Sequence, residues 1–517
     1  MPAADDDADL RLSTTRGRLV LTATVLGSAM AFIDSTVVSI AQPTIGKELH
    51  ADVAGLQWLT IGYLLTLSGL LLLGGALGDR FGRRRIYMLG VVWFAAASLL
   101  CAIAPSITLL ILFRVVQGVG GALLTPGSLA ILEASFVRDD RAAAIGAWSG
   151  LGGIATAAAP FLGGWLIAAA SWRFIFLINL PIALAVLLLT ARAVPETRDA
   201  EATGRLDYLG SALVVLALVG ISYALVEGPA IGFGAPSVLV ALVGGAAAGV
   251  LFTIREVGAR NPVVPLSLFR SRQFSGTNVV TLIVYAVLGG MFFLLPIELQ
   301  QVAHYSPLTA GAAVLPVTVI MLLLSARSGR IASRIGPRLQ MSMGPFIVAA
   351  GVVMYTRIDA SGNYLTQVLP AVIVFGLGLA VTVAPLTATA MSSAPGNRAG
   401  LASAVNNTVA RSGSLLMVAI LPPLAGITGA AYLDPAAFQS GFRTAVIIAA
   451  MVCAAGGAVA AATIRNPRRA FVEVARAGRA VTPLAKPAPE FCCPVDAPPL
   501  RREPEPAGAR VTTTRSG

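Results

Sequence analysis

Hydrocarbon side chains dominate this chain in long unbroken runs, near residues 18–40, 54–77, 86–104, 107–132, 142–169, 172–192, 206–226, 236–255, 274–297, 307–326, 338–356, 365–391, 401–427 and 438–463. The hydrocarbon core of a bilayer is about 30 Å thick and takes about 20 apolar residues to cross as a helix. Within it only helices and closed barrels satisfy their own backbone. The runs are continuous rather than alternating, so they predict helices, about fourteen of them. Charge agrees: Asp, Glu, Lys and Arg make up 12% of the 517 residues, about half the share of an ordinary soluble chain, and mean hydropathy is +0.80. The expected class is an all-α integral membrane protein. The first run follows Arg11, Arg16 and Arg18; it is too long for a signal-peptide core and lacks a cleavage site, so it is expected to stay as an anchor.

Basic residues set the orientation, because cytoplasmic loops collect Lys and Arg. Alternate loops hold Arg80, Arg83, Arg84 and Arg85; Arg138 and Arg141; Arg192, Arg198 and Arg205; Arg255, Arg260, Arg270 and Arg272; then Arg327, Arg330, Arg334 and Arg338. The opposite loops offer little beyond Lys47, Arg173, Arg357 and Arg443. Both termini are therefore expected in the cytoplasm of a multi-pass cell-membrane protein, which requires an even number of spans. The net charge of +12 is mostly this asymmetry, and it argues against a nucleic-acid partner.

Several chemistries are absent from the pattern. Cys101 and Cys453 fall inside runs and Cys492 and Cys493 in the tail, so no spacing suggests zinc or a disulfide framework. His50 and His304 are too few and too far apart to read as ligands, and no G-x-x-x-x-G-K-[ST] occurs. Gly150, Gly152 and Ala155 satisfy G-x-G-x-x-A, but within a membrane run that spacing reads as helix packing. No cofactor, no metal and no enzymatic activity are expected. The segment after about 465 is rich in Pro and Arg and reads as a disordered cytoplasmic tail.

A repeat organises the rest. The stretch GALGDRFGRR from Gly75 returns as GRIASRIGPR from Gly329, so that Gly75, Arg80, Gly82 and Arg84 recur as Gly329, Arg334, Gly336 and Arg338. The copies lie between runs 2 and 3 and between runs 10 and 11, an offset of eight helices, whereas two six-helix halves alone would give six. Two additional helices are therefore expected between two bundles, an architecture of parallel halves found in the major facilitator superfamily. The expected segments are a cytoplasmic tail over 1–17, a six-helix bundle over 18–192, two extra helices over 206–255, a second bundle over 274–463 and the tail over 464–517. In the first copy, Asp79 offers an acceptor to a helix N-terminus, while the arginines reach carboxylates or helix C-termini. That knot either latches one bundle to the other in one conformation or, most simply for Arg85, only fixes topology.

On these residues the chain resembles the fourteen-span drug:proton antiporter group of that superfamily, over about residues 15 to 465. Gly75, Leu77, Asp79, Arg80, Gly82, Arg83 and Arg84 match the superfamily's loop motif. LILFRVVQGVGGA carries Leu110, Arg114, Gln117, Gly118 and Gly120 of the antiporter-associated pattern, and FIDSTVVSIAQPTI carries Asp34, Thr36 and Pro43 of the first-helix signature. SWRFIFLINLP and AGLASAVNNTVARSGSLL also resemble the group. The helix-packing motif of span 5 keeps Pro160, Gly163 and Gly164, with Ala155 and Ala159 where the pattern has glycines; Ser333 stands in the second loop where the first has Asp79. The resemblance implies a secondary transporter, with small-molecule substrate, protons and lipid as partners and a single chain as the working unit.

Ionisable residues within the membrane are the candidates for coupling. Asp34 lies sixteen residues beyond Arg18, about 24 Å at 1.5 Å per residue. Arg114 lies seven residues into a span that descends from outside, about 10 Å deep, so the two depths agree. In the resembled fold both helices line the central cavity. An Asp34–Arg114 pair there either carries the proton or simply locks the first bundle. Arg411, ten residues into its span and about 15 Å deep, either neutralises an anionic substrate or bonds helix carbonyls. Gln117, Asn406 and Asn407 are further cavity candidates, the asparagines bonding substrate or a neighbouring helix. Glu133 is expected to join Asp79 and Arg83, whereas Glu227 and Glu298 at outer span ends are expected to be solvated. The expected function is proton-driven export of small, largely apolar compounds; the rivals are transport of one metabolite and a non-transporting membrane sensor.

Overall fold

The computed structural model describes residues 10–199, 207–259, 264, 266–393, 399–429 and 434–466. Arg205, Arg260, Cys492, Cys493 and the expected tail from 467 onward lie outside them. Among the described residues fourteen helices are long and apolar enough to cross a membrane. They are α1 (Thr15–Glu48), α2 (Val53–Phe81), α3 (Arg83–Ala102), α4 (Ile107–Ser135), α5 (Asp139–Ala169), α6 (Phe174–Ala193), α7 (Tyr208–Ile231), α8 (Pro236–Gly258), α9 (Arg272–Gln301), α10 (Pro307–Ile335), α11 (Arg338–Arg357), α12 (Tyr364–Ser392), α13 (Leu401–Leu424) and α14 (Pro435–Thr463).

Local chemistry sets where these helices begin. Thr14, Asp52, Ser106, Asp207, Ser271, Ser306, Asn363 and Asp434 each precede an apolar run, and each side chain accepts from a backbone N–H of the first turn. A cap of this kind supplies an acceptor to a helix end that hydrocarbon cannot, worth about 1 kcal/mol. Asp207 also accepts three hydrogen bonds from Arg255, at 2.8, 2.9 and 3.2 Å, which joins the cytoplasmic-side ends expected for α7 and α8. Partial burial alone would raise its pKa; the Arg255 guanidinium and the Gly210 N–H outweigh it and hold the carboxyl below the usual range.

The internal repeat is visible in the packing. In the first half α4 packs on α2 and α3, while α1 packs on α5 and α6, and α3 on α6. In the second half α12 packs on α10 and α11, α9 on α13 and α14, and α11 on α14, so the same contact plan recurs eight helices later. Helices α7 and α8 pack on each other, and α7 leans on α2 and on α13, one helix from each bundle. Trp58 donates to Glu227 at 2.8 Å across the α2–α7 seam. Much of α8 remains uncovered: Val240 and Val243 are 72% and 66% exposed, the condition of a surface meant for lipid tails.

The two bundles meet through α1–α9, α2–α13 and α5–α10. Gln57 of α2 donates to the carbonyls of Val418 and Ala419, at 2.7 and 3.2 Å. Gln300 of α9 donates to the Ile40 carbonyl at 2.9 Å. These named contacts all lie toward the ends of the helices remote from Asp79.

Candidate functional site

The site begins with a carboxylate that hydrocarbon packing should forbid. Asp34 and Arg114 are each 1% exposed, and Arg114 Nη1 lies 2.5 Å from Asp34 Oδ2. A buried ion pair persists only when the remaining lone pairs and protons are satisfied. Here Gln117 Nε2 donates to Asp34 Oδ1 at 2.9 Å and Asn179 Nδ2 to the same oxygen at 3.2 Å. Gln117 Oε1 in turn accepts from Arg114 Nη1 at 2.6 Å. Ser98 accepts from both Gln117 and Asn179, at 2.8 and 3.2 Å, and so fixes the two amides. The Arg114 guanidinium stands 4.2 Å over the Tyr63 ring, a cation–π contact that replaces part of its lost hydration.

Helix periodicity explains how the sequence builds this cluster. Arg114 and Gln117 are three residues apart on α4 and therefore share a face; α1, α3 and α6 bring Asp34, Ser98 and Asn179 to it. Sequence reasoning finds Asp34, Arg114 and Gln117 but passes over Ser98, Asn179 and Tyr63. The available signal for those three is a lone polar group within an apolar run.

The loop motif folds into a second cluster. Arg83 of α3 donates to Asp79 Oδ1 through Nε at 2.9 Å and Nη2 at 2.8 Å. Glu133 of α4 lies within electrostatic reach of Arg83 and Asp79, so these three residues are brought together. Gly82 turns the chain at φ +114°, and a Cβ there would sit 2.5 Å from Glu196 Oε1. Arg84 donates from its backbone to Glu196 at 3.1 Å and from Nη2 to the Ala191 carbonyl at 2.9 Å. The second copy does the same: Gly336 has φ +91°, and Arg338 donates to Asn466 at 3.0 Å and to the Ala461 carbonyl at 2.9 Å. The repeated glycine and arginine thus tie each loop to the last helix of its own bundle. Arg80 lies over the Phe81 ring, Gly75 faces Pro126 of α4, and Arg85 reaches Glu196 at 3.6 Å while largely exposed.

The span-5 motif lies at the junction of the bundles. A Cβ on Gly164 would meet the Pro307 carbonyl oxygen at 2.5 Å, and one on Gly311 would meet the Pro160 oxygen at 2.2 Å. Gly163 faces the Val37 side chain of its own bundle instead.

The second-bundle candidates separate. Asn406 is buried and donates to Asn278 and Thr281 at 3.1 and 2.8 Å, joining α13 to α9, while Asn407 is exposed. Arg411 is partly buried and donates to no carbonyl among the described residues. The expectation for the outer glutamates needs correction. Glu227 is bonded to Trp58, and Glu298 is 0% exposed with neither oxygen hydrogen-bonded, on a helix that packs among α12, α13 and α14.

A family model, the Major Facilitator Superfamily, matches residues 24–418. The chain belongs to the major facilitator superfamily. This facilitator is 36% identical over 413 residues to the tetracenomycin C resistance and export protein of Streptomyces glaucescens, covering 79% of this chain and 76% of that one. It is 36% identical over 413 residues to a methylenomycin A resistance protein of Bacillus subtilis, covering 79% and 87%. It is 34% identical over 418 residues to the multidrug resistance protein Stp of Mycobacterium tuberculosis, covering 81% and 77%. The fold matches a D-xylose-proton symporter with TM-score 0.63 at 15% identity, covering 87% of this chain and 99% of that chain. It matches an inward-facing bacterial homolog of the human lysosomal transporter Spinster with TM-score 0.61 at 17% identity, covering 87% and 97%. The facilitator is accordingly a multi-pass membrane transporter of small molecules.

Proposed function

We propose that this facilitator exports small, largely apolar compounds across the plasma membrane in exchange for protons, by alternating access. The observation that carries the reading is the fully buried Asp34 carboxylate, whose donors Arg114, Gln117 and Asn179 all serve its ionised form. A proton arriving at Asp34 forfeits that charge pairing and releases Arg114, which gives protonation a structural consequence. Three relatives named for resistance or export favour the outward direction. Asp34, Arg114 and Gln117 carry coupling in this reading. The bundle contacts close the outer end, and the Asp79–Arg83–Glu133 cluster is the half of a cytoplasmic latch that remains when that end is open. A single chain is the working unit.

Liposomes with an acidic lumen test the exchange. An antiporter accumulates substrate in them above the external concentration, whereas a symporter does so only when the lumen is alkaline; accumulation under the alkaline gradient alone would reject export by exchange. In the same assay Asp79→Asn should slow turnover several-fold with binding unchanged, and Arg85→Ala should alter neither. Equal turnover by Asp79→Asn and the parent would remove the latch.

The basic loops support a topology with both termini in the cytoplasm and α7 and α8 as true crossings. Reporter fusions should then give an external signal after residue 230 and a cytoplasmic one after residue 465. The opposite signal at either position rejects the topology.

A further inference from the structure

Arg411 is the intramembrane cation that proton exchange leaves unused. It lies on α13, which packs against α2 of the other bundle as well as against α9 of its own. Its Nε is sealed from solvent without an acceptor, and the guanidinium makes no hydrogen bond or ion pair among the described residues. The side chain as a whole is only partly buried, so the tip of the guanidinium remains open to an incoming group. Three residues beyond it, Ser414 donates to the Tyr285 carbonyl of α9 at 2.8 Å, and seven beyond it the Val418 carbonyl accepts from Gln57, six residues before Tyr63 on α2, at 2.7 Å; the Tyr63 and Tyr285 phenols both lie within electrostatic reach of the guanidinium. The Tyr63 hydroxyl is itself buried without a partner, although its ring is fully used beneath Arg114.

Charge balance decides what these neighbours lack. Asp34 neutralises Arg114, and no described carboxylate neutralises Arg411. An unpaired charge inside a membrane protein is retained for function rather than stability, and an orphan buried hydroxyl forfeits the hydrogen bond it makes in water. One group repairs both defects at once. A carboxylate, or the oxygens of an ionised enol or phenol, accepts parallel N–H bonds from a guanidinium and has lone pairs left for a phenol O–H.

We propose that Arg411 and Tyr63, with Tyr285 alongside, form an anion subsite between the two bundles, and that this facilitator's substrates are organic anions carrying one such acidic group on an apolar body. The inference rests on the export reading for its context, but substrate charge preference is a property of binding alone. Arg411 supplies the positive charge from the second bundle, and Tyr63 supplies a donor from the first. An anion held by both therefore spans the seam that alternating access must part.

Three fluorescent ligands of one shape test it on the full chain in nanodiscs: pyrene-1-carboxylate, its methyl ester and 1-pyrenemethylamine. The parent should bind the carboxylate at least about tenfold more tightly than the ester, the scale of charge-assisted hydrogen bonding, and the amine most weakly. Arg411→Gln should bring the carboxylate to the ester's affinity while leaving the ester unchanged. Arg411→Lys should keep part of the preference, and Tyr63→Phe should weaken only the carboxylate. Equal binding of acid and ester by the parent overturns the proposal whatever the variants do, as does a preference that survives Arg411→Gln or a failure to bind any of the three. A preference erased by chloride at physiological strength identifies an inorganic counter-ion site and also overturns it. If the carboxylate is preferred yet does not accumulate in acidic liposomes, exchange fails and the subsite stands; if the amine and ester accumulate without any acid preference, the subsite alone fails.

Discussion

On the proposed exchange, Asp34→Asn should abolish pH-driven accumulation, to the level of protein-free liposomes, while substrate binding should stay close to that of the parent. The amide has nearly the shape of the carboxyl, and its oxygen still accepts from Arg114 or Gln117. What it lacks is a site that gains and loses a proton. In the proposed exchange, protonation of the carboxylate would remove the negative charge facing Arg114, and return of the Arg114, Gln117 and Asn179 bonds would favour its loss. With the amide, both conformations present the same neutral group, and a pH gradient has nothing to act on. A second measurement follows: substrate binding by the parent should release protons into weakly buffered solution, and the variant should release none.

Stability complicates this substitution in a calculable way. Removing one partner of a buried ion pair costs about 3–5 kcal/mol, because the other charge stays behind. The double variant Asp34→Asn with Arg114→Gln removes both charges and should recover thermal stability relative to Asp34→Asn without recovering coupling. Asp34→Glu keeps a titratable group and should retain a fraction of the driven transport. Gradient-driven accumulation by a folded Asp34→Asn protein would make the pair a lock for the first bundle and move coupling elsewhere.

The difference between what was legible and what was not has one physical cause. The number of spans was legible because the bilayer fixes run length, whereas their ends were not: α1 runs on to Glu48 and α10 to Ile335, past the apolar runs expected to end near 40 and 326. The repeat was legible because Gly82 and Gly336 hold backbone angles that side chains rarely tolerate. The faces of the helices were not. A membrane helix is apolar toward lipid and toward protein alike, so no polar stripe tells which side is buried. That is why Asn406 could not be assigned between substrate and the Asn278–Thr281 pair, and why Glu298, at the end of its run, read as solvated although helix packing buries it. It is also why Gly163 and Gly164 read as one motif although they face different bundles.

Those adjacent glycines separate stability from conformation. Gly164→Ala puts a methyl 2.5 Å from the Pro307 oxygen and 2.6 Å from Leu308 Cα, atoms of backbone that cannot swing aside. Gly311→Ala acts from the other side, against the Pro160 oxygen at 2.2 Å. Overpacking of this kind costs about 1–3 kcal/mol, and here it falls only on the state in which α5 and α10 are in contact. Conformations that part these helices escape it, so the equilibrium should move toward them by roughly 5- to 150-fold. Gly163→Ala meets the Val37 side chain at 2.5 Å within one bundle; it should lower thermal stability while leaving the distribution nearly unchanged, since that contact exists in both states. Electron-spin distance measurements decide the matter, with labels on Lys47→Cys and Ser440→Cys in a background lacking the four native cysteines. Gly164→Ala and Gly311→Ala should each enlarge the longer-distance population and slow exchange, and Gly163→Ala should do neither. If all three variants give the parent's distribution, the glycine contacts do not hold the outer end closed, and Gln57 and Gln300, which donate across the same junction, become the groups that do.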